Sequence, residues 1–185
     1  MEKVFESERI NFVRMTEELL YDYLEMVNDL ERVARFIRRN AERYTISEER
    51  EFIQSIVEDK PPFFSMIERG SGEFIGNIEL RNLKDNAAEL GIAITAKKQD
   101  QGFGTESVSR IISYGFDTLG LNKVSLRVYR DNPRAICVYQ KCGFTVSCLT
   151  EDDILMEIVK RPQILRTENT VIPKAALVLP RQAAL

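Results

Sequence analysis

Histidine is absent from all 185 residues of the sequence. Its absence removes the commonest general base near neutral pH, the commonest zinc ligand, and every nucleophile pair that couples serine or cysteine to histidine. Acid–base chemistry in this protein must therefore use carboxylates, tyrosine, lysine or cysteine.

Cysteine is scarce as well, with three residues at Cys137, Cys142 and Cys148 and none before them. An odd number confined to one short stretch does not fit a disulfide framework and favours a reducing compartment. We therefore expect a cytoplasmic protein.

Long apolar runs are also missing. No run approaches the roughly 18 to 20 residues that span a bilayer. The opening residues, MEKVFESERINF, carry acidic side chains where a signal peptide has a basic and then an apolar stretch. We expect no membrane association and no export by that route.

The sequence has no excess of basic charge: Lys and Arg total 26 against 29 for Asp and Glu, a net charge of −3. This balance provides no broad basic surface for phosphate backbones, so nucleic acid is not an expected partner. With 44% hydrophobic residues the chain can bury a core, and its length fits one domain.

Hydrophobic periodicity predicts seven strands and four helices. The strands are expected at 9–14, 63–68, 73–81, 88–95, 124–129, 144–149 and 154–159, and the helices at 17–31, 47–58, 104–120 and 133–141. Short links make the strands within 63–95 antiparallel neighbours, whereas the strand–helix–strand order from Ala88 to Tyr129 implies a parallel, right-handed crossover. The predicted fold class is mixed α/β, with a largely antiparallel central sheet and one parallel crossover.

Two of the helices begin at capping residues. Ser47, followed by Glu48 and Glu49, is expected to cap the helix at 47–58. Asn132 precedes Pro133 and is expected to cap the last helix, with proline at its first position.

The sequence changes character after residue 160. Residues 161–185 contain three prolines, a single acidic residue and the apolar block AALVLP. This composition is too apolar for a solvated linker, so we expect one domain at 1–160 and a tail that docks on it or on a second subunit of a homodimer. An exposed tail is the alternative.

The stretch from Gln99 to Glu106, with the sequence QDQGFGTE, lies between a predicted strand and an amphipathic helix. Glycines at such a junction let the backbone turn tightly and direct several N–H groups at one point, where the helix N-terminus adds partial positive charge. This arrangement suits a pyrophosphate, although a turn without a ligand is the alternative.

Two other phosphate-binding motifs do not match this stretch. A Walker loop has lysine directly after its last glycine, where Thr105 stands here. A dinucleotide fingerprint has a third glycine or alanine where Ser107 stands, and it opens the first unit of a parallel sheet. Nucleoside triphosphate hydrolysis and dinucleotide binding are therefore not expected.

The sequence resembles the GNAT N-acetyltransferases in two blocks. Gln99-x-x-Gly102-x-Gly104 is similar to the acetyl-CoA signature of that family, and residues 132–144 resemble its N-x-x-A-I-x-x-Y-x-K-x-G-F segment. The residues between, 114–126, resemble the branch that contains ribosomal-protein N-terminal acetyltransferases and polyamine N-acetyltransferases. The resemblance covers roughly residues 9–160 and implies the GNAT fold, with acetyl-CoA as cosubstrate and no metal.

The resemblance also implies how the cosubstrate is held. Backbone N–H groups from about Gln101 to Thr105 would bind the pyrophosphate, and the strand from Leu90 to Ile94 would bind the pantetheine arm and polarise the thioester carbonyl. Asn132 matches a family asparagine near the pantetheine, while its capping role explains it equally well. The expected cosubstrate-binding residues are Leu90, Ile92, Ile94, Gln99, Gln101, Gly102, Phe103, Gly104, Thr105 and Asn132.

Three residues are candidates for the chemistry. The family match makes Tyr139 a general acid for the leaving thiolate, the alternative being that it only packs against the sheet. Glu79 and Glu89 are candidate bases for the amine, because desolvation in an apolar strand would raise the pKa of either carboxylate. Strand alternation could instead turn them to solvent. Glu79 ranks first, since it corresponds to a glutamate of the polyamine-acetylating members.

The predicted function is direct transfer of an acetyl group from acetyl-CoA to a primary amine. A small amine such as a polyamine is slightly preferred as acceptor, and a protein N-terminus is also compatible. A noncatalytic module that binds acyl-CoA is the alternative from another functional class.

Overall fold

The computed structural model describes residues 1–37 and 42–161. The predicted docking of the tail concerns residues from 162 onward, which lie outside the described residues. In the described ranges, no helix is both long enough and apolar enough to cross a membrane.

The described domain is built on one sheet of eight strands in the order β1-β2-β3-β4-β5-β6-β8-β7. All neighbours are antiparallel except β5 and β6, which run parallel. The strands are β1 (Lys3–Glu6), β2 (Ile10–Arg14), β3 (Phe63–Glu68), β4 (Phe74–Lys84), β5 (Ala87–Ile94), β6 (Lys123–Tyr129), β7 (Thr145–Leu149) and β8 (Asp153–Val159). The predicted α/β class and its single parallel crossover are confirmed.

Helices cover both faces of the sheet. They are α1 (Leu20–Val27), α2 (Arg35–Ile37), α3 (Ile46–Asp59), α4 (Phe103–Asp117) and α5 (Pro133–Lys141). One core packs α4 and α5 against strand residues such as Phe64, Ile78 and Leu126, and a second packs α1 and α3 against residues such as Val13 and Phe63. Alternation along β2, β3 and β4 divides their apolar side chains between these two cores.

The structure differs from the prediction at three places near the N-terminus. Strand β1 was not predicted. Thr45, and not Ser47, caps α3, because Thr45 and Glu48 form a reciprocal capping box. The predicted helix at 17–31 is divided: α1 ends at Val27 and a π-helical segment follows at Leu30–Ala34, capped by the Asp29 side chain.

The parallel strands β5 and β6 separate after three paired positions. Their ladder joins Ala87–Glu89 to Lys123–Ser125, yet β5 continues to Ile94 and β6 to Tyr129. Strand β6 stays paired with β8 over its whole length. The sheet therefore opens between Leu90 and Ile94 on one side and the second half of β6 on the other.

Candidate functional site

The opening between β5 and β6 exposes backbone amides. The Thr95 N–H donates to the Ile75 carbonyl on β4, so by alternation the amides of Ile92 and Ile94 point to the opposite edge, toward the opening. Leu90, Ile92 and Ile94 line a cavity of about 610 Å³ at this edge. The structure thus brings the three predicted β5 residues together along one wall of a cavity.

The N-terminus of α4 closes one end of the same cavity. Gly102 is the N-cap residue with φ of +84°, a conformation that favours glycine, and no side chain caps the helix. The first amides of a helix have no partner within it, so those of Phe103, Gly104 and Thr105 are available to a ligand. Phe103 contributes only its backbone here, because its side chain is buried in the core.

Gly104 keeps space beside these amides. A Cβ atom at this position would lie 3.5 Å from Ile94 Cδ1 and 3.7 Å from Val138 Cγ2, which is ordinary contact. The protein alone therefore tolerates a larger residue at Gly104. A ligand lying between Ile94 and α5 would make the glycine necessary.

The two glutamines of the motif donate to backbone carbonyls of and near the loop, and Gln99 also lines the cavity. Gln99 Nε2 donates to the carbonyl of Ile94 at 2.9 Å and to that of Arg32 at 3.3 Å. Gln101 Nε2 donates to the Lys97 carbonyl at 2.7 Å. Gln99 thereby ties the end of β5 to the segment that follows α1.

Arg9 supports the loop from the start of β2, and the sequence did not indicate this role. Its Nε donates to Glu106 at 2.8 Å, its NH1 group donates to the Gln101 carbonyl at 3.0 Å, and its guanidinium lies 4.5 Å from the Phe103 ring centre. Ser7 also donates to Glu106, at 2.7 Å. Partial burial raises the pKa of Glu106, but these hydrogen bonds and the Arg9 charge lower it overall.

Helix α5 brings Asn132 and Tyr139 to the cavity. Asn132 Oδ1 accepts from the Ala135 N–H at 3.2 Å, which confirms its predicted cap. Tyr139 is 8% exposed, and its hydroxyl has no hydrogen-bond partner among the described residues. Burial raises the pKa of Tyr139 to about 12, so the hydroxyl stays protonated at neutral pH.

Glu79 lines the same cavity and lies on β4, beside β5. It pairs with Gly91 across β4 and β5, and its carboxylate covers the Gly91 backbone, where a Cβ would approach Oε1 to 2.6 Å. Burial raises the pKa of Glu79 above its ordinary value, although Arg81 at 3.3 Å acts against that rise.

Glu89 is placed differently from Glu79. It does not line the cavity, and its carboxylate accepts from Arg81 and from Asn82. Burial alone would raise the pKa of Glu89, but these donors lower it overall. Of the two predicted bases, only Glu79 combines a raised pKa with a position on the cavity.

Two more residues with oxygen acceptors line the cavity, and both were missed as site residues from the sequence. Glu49 on α3 and Asn77 on β4 both line it, and Glu49 Oε1 and Asn77 Oδ1 are buried without a hydrogen-bond partner. The helical spacing of α3 could have indicated that Glu49 is buried. Glu49 precedes Ile53 by four residues and Ile56 by seven, so it lies on the apolar face of the helix.

Residues 9–145 match the family model of the acetyltransferase (GNAT) domain. The chain belongs to the GNAT acetyltransferase family. The resemblance of the glycine motif and of residues 132–144 is thereby confirmed. GNAT enzymes use acetyl-CoA, and an uncapped helix N-terminus, an open sheet edge and a cavity joining them fit that cosubstrate here.

Known proteins similar to this GNAT chain include a spermidine N1-acetyltransferase of Vibrio cholerae. The two are 33% identical over 81 residues, which is 43% of this chain and 47% of the relative. The chain thus matches about half the length of the curated relatives.

Solved structures show the same fold. A Vibrio cholerae spermidine N-acetyltransferase in complex with CoA and spermine superposes with a TM-score of 0.73 at 23% identity, covering 83% of this chain and 96% of that one. A proposed ribosomal-protein-serine acetyltransferase of Vibrio cholerae gives 0.72 at 17% identity, covering 86% and 100%.

Groups of three or more potential metal ligands from His, Cys, Asp and Glu do not occur within residues 1–37 and 42–161. Cys142 is half-buried beside Ser109, at 3.4 Å between Sγ and Oγ, and burial raises the pKa of its thiol. A raised pKa disfavours the thiolate, so Cys142 is poorly suited to act as a nucleophile.

Proposed function

We propose that this protein is an N-acetyltransferase that transfers the acetyl group of acetyl-CoA directly to a primary amine, with a small amine preferred over a protein N-terminus. One observation carries the proposal: a single cavity is lined by Gly102, Gly104, Ile92, Ile94 and Glu79. Pyrophosphate binding, carbonyl polarisation and amine deprotonation can therefore occur along one path.

The chain's own groups would hold acetyl-CoA, which supplies an activated acetyl group as a thioester. The amides of Phe103, Gly104 and Thr105 would donate to the pyrophosphate oxygens, aided by the positive end of the fifteen-residue helix α4. The amides of Ile92 and Ile94 would donate toward the pantetheine arm and the thioester oxygen. Donors aimed at an oxygen that gains charge lower the barrier to attack.

Tyr139 would donate a hydrogen bond to the leaving sulfur. Thiols have a pKa of about 8.5, so with a tyrosine pKa of about 12 complete proton transfer to the thiolate is uphill by three to four units. The structure thus favours stabilisation of the developing thiolate over full proton donation before the sulfur leaves.

Glu79 would accept the proton of the attacking ammonium, directly or through water. Its carboxylate lies over Gly91, adjacent to the Ile92 amide, and burial raises its pKa toward that of a useful base. Glu89 would act indirectly, because its carboxylate binds Arg81, which also contacts Glu79.

The preference for a small amine follows from these acidic groups and from the relatives named spermidine acetyltransferases. The test is calorimetric titration with acetyl-CoA combined with thiol release against polyamines, alkylamines and short peptides. Turnover of small amines is expected. Peptide turnover alone would reassign the acceptor, and acetyl-CoA binding without any turnover would favour the noncatalytic module.

A further inference from the structure

Glu49 is the most deeply buried acid of the described domain, with a relative exposure of 3%. It lies in the first turn of α3 and lines the cavity. Its Oε1 atom is enclosed and accepts no hydrogen bond. A buried carboxylate without a donor is unfavourable, so its retention calls for a ligand that brings one.

The other charged side chains around the cavity already have partners. Glu48 is held by the Thr45 capping box. Each lining cation contacts a carboxylate: Arg32 with Asp29, Arg81 with Glu79 and Glu89, Lys98 with Glu68 and Glu73, Arg127 with Asp153, and Arg134 with Asp100. Within residues 1–37 and 42–161, Glu49 alone among these groups has no partner.

Two aromatic residues, Phe52 and Phe63, line the cavity together with Glu49 and Glu79. Phe63 on β3 pairs directly with Glu79 on β4, and its ring lies 5.8 Å from that of Phe52 on α3. Phe52 follows Glu49 by three residues, so the two lie on one side of the helix. The cavity therefore presents two carboxylates, each beside one of two apolar rings that contact each other.

Tyr23 lines the same cavity as both carboxylates. Burial raises the pKa of Tyr23, and the negative charges of Glu49 and Glu79 both add to that rise. Asn77, two residues from Glu79 on β4, lines the same cavity, and its Oδ1 atom is buried without a partner among the described residues. All three groups are hydrogen-bond acceptors, so the complementary ligand is rich in N–H donors.

We propose that Glu49 is a second ammonium-binding site that selects diamines and polyamines as acceptors. The reacting nitrogen would lie beside Glu79, the alkylene chain would contact Phe63 and Phe52, and the distal ammonium would bind Glu49. This inference rests on the proposed acetyl transfer and adds a specificity-determining residue to it. A monoamine would leave Glu49 unpaired, whereas a diamine would satisfy both carboxylates.

The first test compares amines of equal length on the unaltered protein. Butane-1,4-diamine and pentylamine have the same number of heavy atoms, as do hexane-1,6-diamine and heptylamine. A charge-assisted hydrogen bond predicts a kcat/KM at least about tenfold higher for the diamine of the better-fitting pair. Equal values in both pairs, or a short peptide that exceeds every diamine, would overturn the inference.

The second test replaces Glu49→Gln, which keeps the shape and removes the charge. The kcat/KM for the diamine should fall about tenfold or more, mainly through KM, while that for the matched monoamine stays unchanged. Glu58→Gln, at an exposed position of the same helix, is the control and should behave like the unaltered protein. An equal fall for both amines would assign Glu49 a purely structural role.

Failure of the proposed reaction can be recognised separately. If no amine releases thiol from acetyl-CoA, the acetyl-transfer proposal fails, and diamine binding is then measured by calorimetry on the CoA-loaded protein. Tighter binding to the unaltered protein than to the Glu49→Gln variant would still support the second ammonium site. Equal binding, or none, would overturn it.

Discussion

Replacing Gly91→Ala should displace the proposed base without disturbing the fold. Gly91 lies in β5 with no positive φ, so alanine can adopt its backbone conformation. The new methyl carbon would lie 2.6 Å from Glu79 Oε1 and 3.0 Å from its Cγ. Ordinary contact needs about 3.5 Å, so the carboxylate must move by about 1 Å.

A displacement of this size has a large effect on rate and a small one on stability. Misplacing a catalytic group by about 1 Å can lower the rate about 100-fold. The replacement of glycine by alanine changes the free energy of unfolding by about 1 kcal/mol or less, because the carboxylate is a flexible chain end. The methyl group faces Glu79 and not the β5–β6 opening, so the affinity for acetyl-CoA should be unchanged.

The assay measures initial thiol release at saturating amine, together with calorimetric acetyl-CoA affinity and thermal denaturation. Glu79→Gln provides the reference for complete loss of the base, with a fall in kcat of about 100-fold or more. Gly70→Ala, in a turn where a Cβ has no neighbour within 4 Å, is the matched control. If Gly91→Ala keeps the full kcat, the exact position of the Glu79 carboxylate is irrelevant and its role as base is refuted.

Three further predictions concern other parts of the site. Tyr139→Phe should lower kcat at least about tenfold. The melting temperature and acetyl-CoA affinity should stay unchanged, because the hydroxyl has no hydrogen-bond partner within residues 1–37 and 42–161; an unchanged kcat would leave Tyr139 a packing role. Arg9→Ala should weaken acetyl-CoA binding about 3- to 10-fold in calorimetry and leave kcat unchanged, since the exposed contacts of Arg9 to Gln101 and Glu106 only position the loop. An unchanged affinity for acetyl-CoA would contradict this role of Arg9. Glu49→Gln should raise the melting temperature at pH 7 but not at pH 4. Burial raises the pKa of Glu49 in the folded state, so ionisation of this carboxyl group destabilises the fold only as the pH rises above about 4.5. A difference in melting temperature that is the same at both pH values would exclude this origin.

Local sequence was sufficient for the features that depend on neighbours in the chain. The positive φ of Gly102, the uncapped start of α4 and the Asn132 cap follow from residues within one turn of each other. The parallel pairing of β5 and β6 follows from the helix between them. The prediction that Ser47 caps α3 was wrong by two residues. Thr45 caps the helix, because it can exchange hydrogen bonds with Glu48.

Contacts between distant residues decided the rest of the candidate site. Glu79 and Glu89 have similar apolar neighbours in sequence, and only the position of Arg81 and the register of Gly91 distinguish them. Arg9 reaches Glu106 from 97 positions away.

The amino-acid sequence by itself determined the fold class, the GNAT resemblance and the glycine turn before α4, because repeating hydrophobic patterns and glycine conformations act over a few residues. Tertiary structure decided which groups share the cavity. Glu49 lies on a helix far in sequence from Asn77 and Glu79. Its burial, without a partner among the residues that the structure describes, arises only when α3 packs across the sheet. Burial and pairing determine the charge of a carboxylate, and both depend on neighbours that the fold brings together.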